Sequence, residues 1–365
     1  MKYFTGSYIF SALGILAAYL WTHYSHPGTE LGVLFIVLVL SVLEVSLSFD
    51  NAVVNAAKLE KMSPVWQKRF LTWGIWIAVF GMRLIFPIAV VSIFAHLGFV
   101  DVINLALKDP DKYAHYLHIS HPPIITFGAT FLMMLFLTFF MNAKKEIHWF
   151  NFLENKLAIL GHVKGLNVVI TMLLLYIFHN YVGAEYKYDV LIAGIWGIIV
   201  YLLIEGISSA LETHADKVKS ENKECASPKF NLVNSCFINF LYLELIDASF
   251  SLDGVLGAFA LSKDVLIIAI GLSIGAMFVR SLTIMLVEKK TLQEYVYLEH
   301  GAHYAIGALA LIMFVSSFYE VSEIVTGLIG LVFIVAAFIC SLRENKKRKL
   351  QEQIQKIVNK GENND

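Results

Sequence analysis

Residues 44–51 read Glu-Val-Ser-Leu-Ser-Phe-Asp-Asn, and residues 247–254 read Asp-Ala-Ser-Phe-Ser-Leu-Asp-Gly. The two stretches share one order of residue types: acid, apolar, serine, apolar, serine, apolar, acid. They lie in opposite halves of the chain, and each is embedded in a long apolar run. Carboxylates inside a membrane-spanning segment are rare and mark functional sites. We call these stretches the first and the second acidic motif.

The composition indicates a membrane protein built from helices. The chain has 365 residues, of which 58% are hydrophobic and 16% are charged, whereas a soluble domain carries about 25% charged residues. The apolar residues cluster in runs of about 18 to 25, long enough to cross the hydrocarbon core of a bilayer. We therefore predict an all-α, polytopic transmembrane bundle. The three cysteines indicate neither a disulfide framework nor a CxxC metal site.

Ten membrane spans fit the apolar runs, and two very short junctions, at 262–263 and 320–323, leave nine spans as an alternative. The predicted span limits are 4–22, 31–57, 70–99, 123–141, 166–182, 189–210, 232–261, 264–286, 302–319 and 324–342.

The distribution of lysine and arginine supports an even number of spans. With a cytoplasmic N-terminus, 22 of the 28 lysines and arginines fall on the cytoplasmic side. They lie at Lys2, in the tail after Leu342, and in the loops at 58–69, 142–165, 212–230 and 287–301. Basic residues are retained on this side of membrane proteins. The sequence thus predicts a multi-pass protein of the cell (inner) membrane with both termini in the cytoplasm.

Five spans separate the two acidic motifs, so the motif helices should run in opposite directions through the membrane. The chain then divides into two five-span halves related by an inverted repeat, residues 1–182 and 183–342, followed by a basic cytoplasmic tail at 343–365. The span after each motif contains one arginine, Arg83 or Arg280, which supports the pairing. Inverted repeats place a shared site near the bilayer midplane, where we expect the motif helices to meet.

The number of acids in the spans favours a cation site. A carboxylate at the centre of a membrane helix costs roughly 2.5 to 3.5 kcal/mol on insertion scales. The motif spans contain five acids: Glu44, Asp50, Glu244, Asp247 and Asp253. Because Arg83 and Arg280 can neutralise only two of them, divalent cations, protons or both would have to neutralise the rest.

We assign the predicted cation site to the polar residues of the motif spans. The predicted ligands are Glu44, Ser48, Asp50, Asn51, Glu244, Asp247, Ser251 and Asp253. The predicted charge-balancing or gating residues are Arg83, Arg280 and Glu205, the last being a sixth acid in another span. A purely structural pairing with an arginine is the alternative role for each acid.

Regular helix geometry would separate the two acids of one motif. Glu44, Ser48, Asn51 and Asn55 share one polar stripe of a helix, whereas Asp50 lies about 120° away from Glu44. The two acids can therefore serve one site only if the helix opens between them or if the cavity is wide. An opened helix would also provide backbone carbonyl oxygens as ligands.

The ligand types predict a hard cation. The motifs offer carboxylate, hydroxyl and amide oxygens, which suit Mg²⁺, Ca²⁺ and Mn²⁺. We expect a transported divalent cation, Mn²⁺ or Ca²⁺, and no resident cofactor. Zinc fits less well, and monovalent ions or protons alone remain an alternative.

The first motif resembles that of the tellurium resistance TerC family of integral membrane proteins, within the lysine-exporter-like superfamily. That family carries Glu-x-x-Leu-Ser-x-Asp-Asn-Ala near its start. The pattern is matched by Glu44, Ser48, Asp50, Asn51 and Ala52, with one extra residue after Glu44.

The second motif resembles the later TerC pattern, an Asp followed by Phe-x-x-Asp-Ser-Ile-Pro-Ala. Asp247, Phe250 and Asp253 match it, and residues 254–257, Gly-Val-Leu-Gly, replace its end. The resemblance covers roughly residues 31–100 and 235–340 and points to a divergent branch. It implies efflux of a metal ion driven by an ion gradient, with manganese the best-supported substrate.

Three functions are compatible with the sequence. The first is a secondary transporter that exports a divalent cation, Mn²⁺, in exchange for protons at the same carboxylates. The second is a non-transporting membrane partner in a stress-response complex. The third is an exporter of an organic solute such as an amino acid, which an acid-only site disfavours.

We do not expect an enzyme, because the sequence contains no phosphate-binding loop, nucleophile triad or HExxH motif. The expected partners are the metal ion and membrane lipids, without nucleic acid, and a homodimer is compatible with them. Three histidines in the predicted outside loop at 100–122, His115, His118 and His121, could collect a transition metal. We favour a solvated loop without a metal.

Overall fold

The computed structural model describes most of the chain. The described residues are 2–25, 27–60, 62–85, 88–89, 91–92, 97–142, 145, 147–220, 237, 240–241, 243–245, 247, 258, 261–262, 264–319, 321 and 323–362. Within them the protein is helical and contains no β-strand, so the predicted all-α fold is confirmed.

Thirteen α-helices are present in this described part. They are α1 (Thr5–Ser25), α2 (Glu30–Leu47), α3 (Phe49–Glu60), α4 (Pro64–Trp76), α5 (Phe99–Lys108), α6 (Pro110–Phe140), α7 (Asn151–Leu160), α8 (Leu166–His179), α9 (Lys187–Ser220), α10 (Val265–Glu288), α11 (Thr291–Glu294), α12 (Leu298–Ser316) and α13 (Glu323–Glu362). A 3-10 turn at Lys2–Phe4 precedes α1, and a π-helical stretch at Ile77–Ile85 continues α4.

Six helical segments of the described chain are long and apolar enough to cross a membrane, as a multi-pass membrane protein requires. They are Glu30–Leu47, Pro110–Phe140, Lys187–Ile207, Val265–Glu288, Leu298–Ser316 and Leu328–Arg348. The predicted seventh span, 232–261, falls largely outside the described residues. The count of ten spans and the division into two inverted halves therefore stay predictions.

Three helices begin at signals that are readable in the sequence. Pro64 and Pro110 each occupy the first turn of a helix, where a missing N–H loses no hydrogen bond. The Asp109 carboxylate accepts a hydrogen bond from the Lys112 N–H at 3.2 Å. The Asp264 carboxylate accepts hydrogen bonds from the first turn of α10 in the same way. These caps satisfy N–H groups that would otherwise have no partner.

The prediction of a loop at 100–122 was wrong, because this stretch is helical. It forms α5 and the first three turns of α6, which continues without interruption through Pro122 and Pro123. The Thr126 hydroxyl donates to the Pro122 carbonyl at 2.7 Å. Prolines are tolerated in membrane helices when side-chain hydroxyls and neighbouring helices satisfy the freed backbone groups.

Helix α2 separates lipid-facing from buried side chains. Leu31, Phe35 and Leu38 are exposed apolar residues along one stripe, whereas Leu40 and Glu44 are buried on another. The exposed stripe is suited to lipid contact, because an aqueous surface would not favour three large apolar side chains in a row.

The packing of α10 positions the charged residues. This helix packs against α1, α2, α3 and the π-helical stretch. Helix α3 also packs against α12, while α6 packs against α9 and α12 around the largest apolar core. Both arginines, one on the π-helical stretch and one on α10, consequently lie next to the first acidic motif.

Candidate cation site between the two acidic motifs

Arg83 joins the leading acids of the two acidic motifs. Its Nη2 donates a hydrogen bond to Oε1 of Glu44, and its Nη1 lies 4.0 Å from Oδ2 of Asp247. The Asn51 amide donates to Oδ1 of Asp247 at 2.6 Å, and the Ser48 hydroxyl donates to Oε1 of Glu44 at 3.0 Å. All five residues are buried. The predicted meeting of the two motifs is therefore present in the described residues.

A second ion pair lies beside the first. The Nη2 of Arg280 lies 3.4 Å from Oε1 of Glu244 and donates to the Gly74 carbonyl at 2.6 Å. The guanidinium also stacks over the Phe70 ring, 3.8 Å from its centroid. Three different contacts hold Arg280, and two of them, those to Gly74 and Phe70, come from the predicted span at 70–99.

A small buried cavity lies at the junction of these groups. Its lining residues are Glu44, Ser48, Asn55, Arg83, Asp247, Ala276, Val279, Arg280 and Thr283. It has room for about one water molecule, a space that also suits one dehydrated ion. Within the described structure, Asn55 Oδ1, Glu244 Oε2 and Arg280 Nη1 are buried atoms without a hydrogen-bond partner. Buried polar atoms normally have partners, so these atoms are consistent with a ligand at this junction.

Two departures from regular α-helix shape the site. The first is Ser48, which has φ −102° and ψ 13° and separates α2 from α3 inside the first acidic motif. This interruption lies between Glu44 and Asp50, where the helix was expected to open if both acids serve one site and the cavity is not wide. Helix bends have local causes, and here the serine hydroxyl bonds to Glu44 one turn back.

The second departure is the π-helical stretch that carries Arg83. Such stretches are rare and frequently occur at functional sites. No pattern in the sequence predicted this one. Its wider turn changes which face of the span Arg83 occupies, relative to an α-helix of the same residues.

Most of the predicted site residues that can be described lie together. Ser48, Asn51, Asp247 and Arg83 contact Glu44 or each other, and Arg280 with Glu244 lies alongside. Asp50 lies in the first turn of α3. Ser251 and Asp253 fall outside the described residues, and so does the side chain of Asp50.

Glu205 is the predicted residue that lies elsewhere. It is half-buried on α9, which packs against α6 and α8, and it does not belong to the described lining of the cavity. The three described acids of the site, Glu44, Glu244 and Asp247, exceed its two arginines by one negative charge.

Several residues of the site were absent from the prediction. Thr283 lies three residues after Arg280, so helical spacing could have indicated it, whereas Asn55 was placed on the polar stripe of Glu44 but was not among the predicted ligands. Gly74 and Phe70 contact Arg280 through a backbone carbonyl and an aromatic face. The sequence contains no signal for either contact.

The described side chains offer few ligands for a metal ion. They contain no group of three or more His, Cys, Asp or Glu that could hold a metal ion. His115 and His118, which are exposed on the first turns of α6, are not part of such a group. A cation at the cavity would be bound by two carboxylates together with hydroxyl and amide oxygens.

A close helix contact sets the position of Glu44, and we expect Gly275→Ala to disturb it. A Cβ atom at Gly275 would lie 2.5 Å from Cβ of Glu44 and 2.7 Å from the Ser41 carbonyl oxygen. Helices α2 and α10 would have to separate, which should destabilise the protein by about 1–3 kcal/mol. Unfolding of the purified protein by denaturant in mixed micelles measures this change.

Gly32→Ala is the matched control, because Gly32 lies on α2 and a Cβ atom there would meet nothing within 4 Å. Alanine favours helix more than glycine does, so the stability of this variant should equal or exceed that of the wild type. Equal stability of the Gly275 and Gly32 variants would contradict the close contact.

Comparison with known proteins identifies a family, but the description of that family names no activity. The family model described as "Protein of unknown function (DUF475)" matches residues 49–348, which is most of the chain. The search of curated proteins and the search of solved structures found no match.

Proposed function

The chain belongs to the DUF475 family, and we propose that it is a secondary transporter that exports a divalent metal cation, Mn²⁺, from the cytoplasm. One observation carries the proposal. Arg83 lies between Glu44 and Asp247, the leading acids of two repeated motifs, next to a buried cavity with room for one ion. A guanidinium is a tethered cation, so it occupies the electrostatic position that a transported cation would take.

Charge balance favours a divalent ion over a monovalent one. If Arg83 moves away, Glu44 and Asp247 present two negative charges to the cavity, which one divalent cation neutralises. Ser48, Asn51 and Asn55 add neutral oxygen donors nearby. Such oxygen donors suit Mn²⁺, Ca²⁺ and Mg²⁺. Asp50, Ser251 and Asp253 remain proposed as further ligands.

The two arginines have different roles in this proposal. Arg280 is held by Gly74, Glu244 and Phe70 and serves as a fixed balancing charge. Arg83 lies on the π-helical stretch, and a return of that stretch to an α-helix would rotate its guanidinium away from the acids. Cation binding and the withdrawal of Arg83 are therefore coupled.

The proposed direction of transport and the proposed driving ion are inferred from the sequence. The excess of basic residues in alternate loops supports cytoplasmic termini in the cell membrane. Proton exchange at the same carboxylates would supply the driving gradient, because metal binding displaces protons. The resemblance to the TerC family supports manganese.

The cavity disfavours an amino acid as substrate. A substrate carboxylate needs a positive partner. In the described residues, however, Arg83 and Arg280 are each already paired with an acid.

Flux through proteoliposomes tests the proposal. We expect Mn²⁺ to enter vesicles that contain a trapped metal-sensitive dye and the wild-type protein. Asp247→Asn should reduce the initial rate at least tenfold, because it removes one of two carboxylates from the cavity. Glu205→Gln is the matched control, since this acid lies on a helix away from the cavity, and its rate should remain close to wild type.

Parallel measurements distinguish the other functions. Uptake of radiolabelled lysine but not of Mn²⁺ would favour the organic solute exporter. The absence of flux for Mn²⁺, Ca²⁺ and lysine would favour the non-transporting partner. A wild-type Mn²⁺ rate in Asp247→Asn would exclude the proposed site.

A further inference from the structure

Helix α7 has an unusual pattern of burial, with its apolar side chains outside and a glutamate inside. Phe152, Leu153 and Ile159 are exposed, whereas Glu154 is the one buried residue of this helix, with 1% of its surface accessible. A buried carboxylate requires partners that offset its loss of water. The partners of Glu154 come from two separate segments of the chain, the segment before α7 and helix α12.

One carboxylate oxygen of Glu154 is fully hydrogen-bonded. Oε1 accepts from the backbone N–H groups of Trp149 and Phe150 at 3.2 Å each and from the Tyr304 hydroxyl at 3.2 Å. These bonds hold the carboxylate between the start of α7 and helix α12. Its position therefore depends little on the charges around it.

The other oxygen has three nitrogen neighbours at nearly equal distances. Oε2 lies 3.4 Å from Nδ1 of His148 and 3.5 Å from both Nζ of Lys145 and Nε2 of His300. His300 also donates through Nε2 to the Ile147 carbonyl at 2.8 Å, which commits that nitrogen. Within the described structure Lys145 Nζ and His148 Nδ1 have no hydrogen-bond partner of their own, so they are the two nitrogens that are free to bond to this oxygen.

A single buried carboxylate balances a single cation. Burial lowers the pKa of Lys145 to about 8, against the opposing effect of Glu154, so the ammonium is charged at neutral and acid pH. It also packs over the rings of Phe139 and Phe140. A proton on His148 would create a second cation beside the same oxygen, and like charges at this distance disfavour each other.

We propose that His148 is a proton-binding site at which the imidazolium replaces Lys145 as the ionic partner of Glu154. Histidine is the side chain whose ordinary pKa lies between pH 5 and 8. The His148 side chain is 19% accessible, against 12% for Lys145 and 4% for His300, so it is the cluster imidazole that protons reach most readily. On protonation, Lys145 leaves Glu154.

Several charged and titratable groups form or surround this site. They are Lys145 and His148 in the connecting segment, Glu154 on α7, Tyr297 before α12, Glu299, His300, His303 and Tyr304 on α12, and Glu344 and Arg348 on α13. Helix α12 packs against α3, which carries Asn51 and Asn55 of the cavity. The proton site is thus connected by one helix contact to the first acidic motif.

The fluorescence of Trp149 reports this site directly, because the residue follows His148 and its backbone N–H bonds to Glu154. Subtracting the pH titration of Trp149→Phe from that of the wild type isolates its emission. We expect a pH-dependent change in this emission, since a protonated imidazole quenches indole. His148→Asn should abolish it, whereas His162→Asn, an exposed histidine after α7, should leave it unchanged.

Two further variants test the competition between cations. Lys145→Met should raise the midpoint of this change, because the competing charge is gone, and Glu154→Gln should lower it. Thermal unfolding at pH 7.5 identifies variants that fail to fold, and His148→Gln then replaces His148→Asn. A flat wild-type titration would overturn the proposal. So would a transition that persists in His148→Asn or one that is lost only in His300→Asn.

Discussion

Arg83→Gln should destabilise the protein by about 3–5 kcal/mol in the presence of a chelator, and divalent cations should restore much of the loss. The substitution leaves Glu44 and Asp247 buried without a positive partner, and breaking a buried ion pair from one side has a cost of this size. A cation that binds only the folded state then stabilises it, by about 2.7 kcal/mol at 100 times its Kd. Unfolding by denaturant in mixed micelles, with EDTA or with Mn²⁺, measures both effects.

Arg280→Gln is the matched control for this prediction. Arg280 is as deeply buried as Arg83, but within the described part of the chain its acidic partner is Glu244 alone. Its loss should also destabilise the protein, with a clearly smaller recovery in Mn²⁺, because one carboxylate binds a divalent cation weakly. Equal recovery in both variants, or none in Arg83→Gln, would contradict the role of Arg83 as a tethered substitute for the transported ion.

Combining Glu44→Gln with Arg83→Gln should restore part of the stability that Arg83→Gln loses, without restoring transport. Arg83→Gln leaves Glu44 and Asp247 without their positive partner, whereas the double variant leaves only Asp247 and replaces the Glu44–Arg83 pair by two neutral amides that can hydrogen-bond to each other. Neighbours in one buried network show interaction energies of about 0.5–3 kcal/mol, and we expect a value near the upper end. Cation flux should nevertheless remain at least tenfold below wild type, because one of the two cavity carboxylates is absent.

The double-mutant cycle separates a structural pair from a transport site. Free energies of unfolding for the four proteins give the interaction energy, and Mn²⁺ uptake by proteoliposomes gives the rate. If the double variant regained both stability and flux, Glu44 would be only the structural partner of Arg83. If it regained neither, the pair would not act as an isolated unit.

The amino-acid sequence determined the class of the protein and the identity of its central acids. Long apolar runs with few charges can satisfy their backbone groups in a membrane only as helices or closed barrels, so composition and length predicted the helical bundle. The repeat of acid, serine and acid in opposite halves of the chain indicated Glu44 and Asp247 together. Helical spacing also showed that Glu44 and Asp50 could share a site only if the helix opened between them or the cavity were wide, and α2 ends at this point, before Ser48.

Only the tertiary structure decided which arginine meets which acids and which acid is excluded. Arg83 reaches both motifs because a π-helical stretch alters its direction, and Arg280 is fixed by a backbone carbonyl and an aromatic ring on another span. Glu205 has the same residue type and apolar surroundings in sequence but lies on a helix packed elsewhere. Periodicity along one helix reports which face a residue occupies, but not which helix covers that face. That second fact depends on packing between segments distant in sequence, and it separates a cavity-lining carboxylate from one outside the cavity.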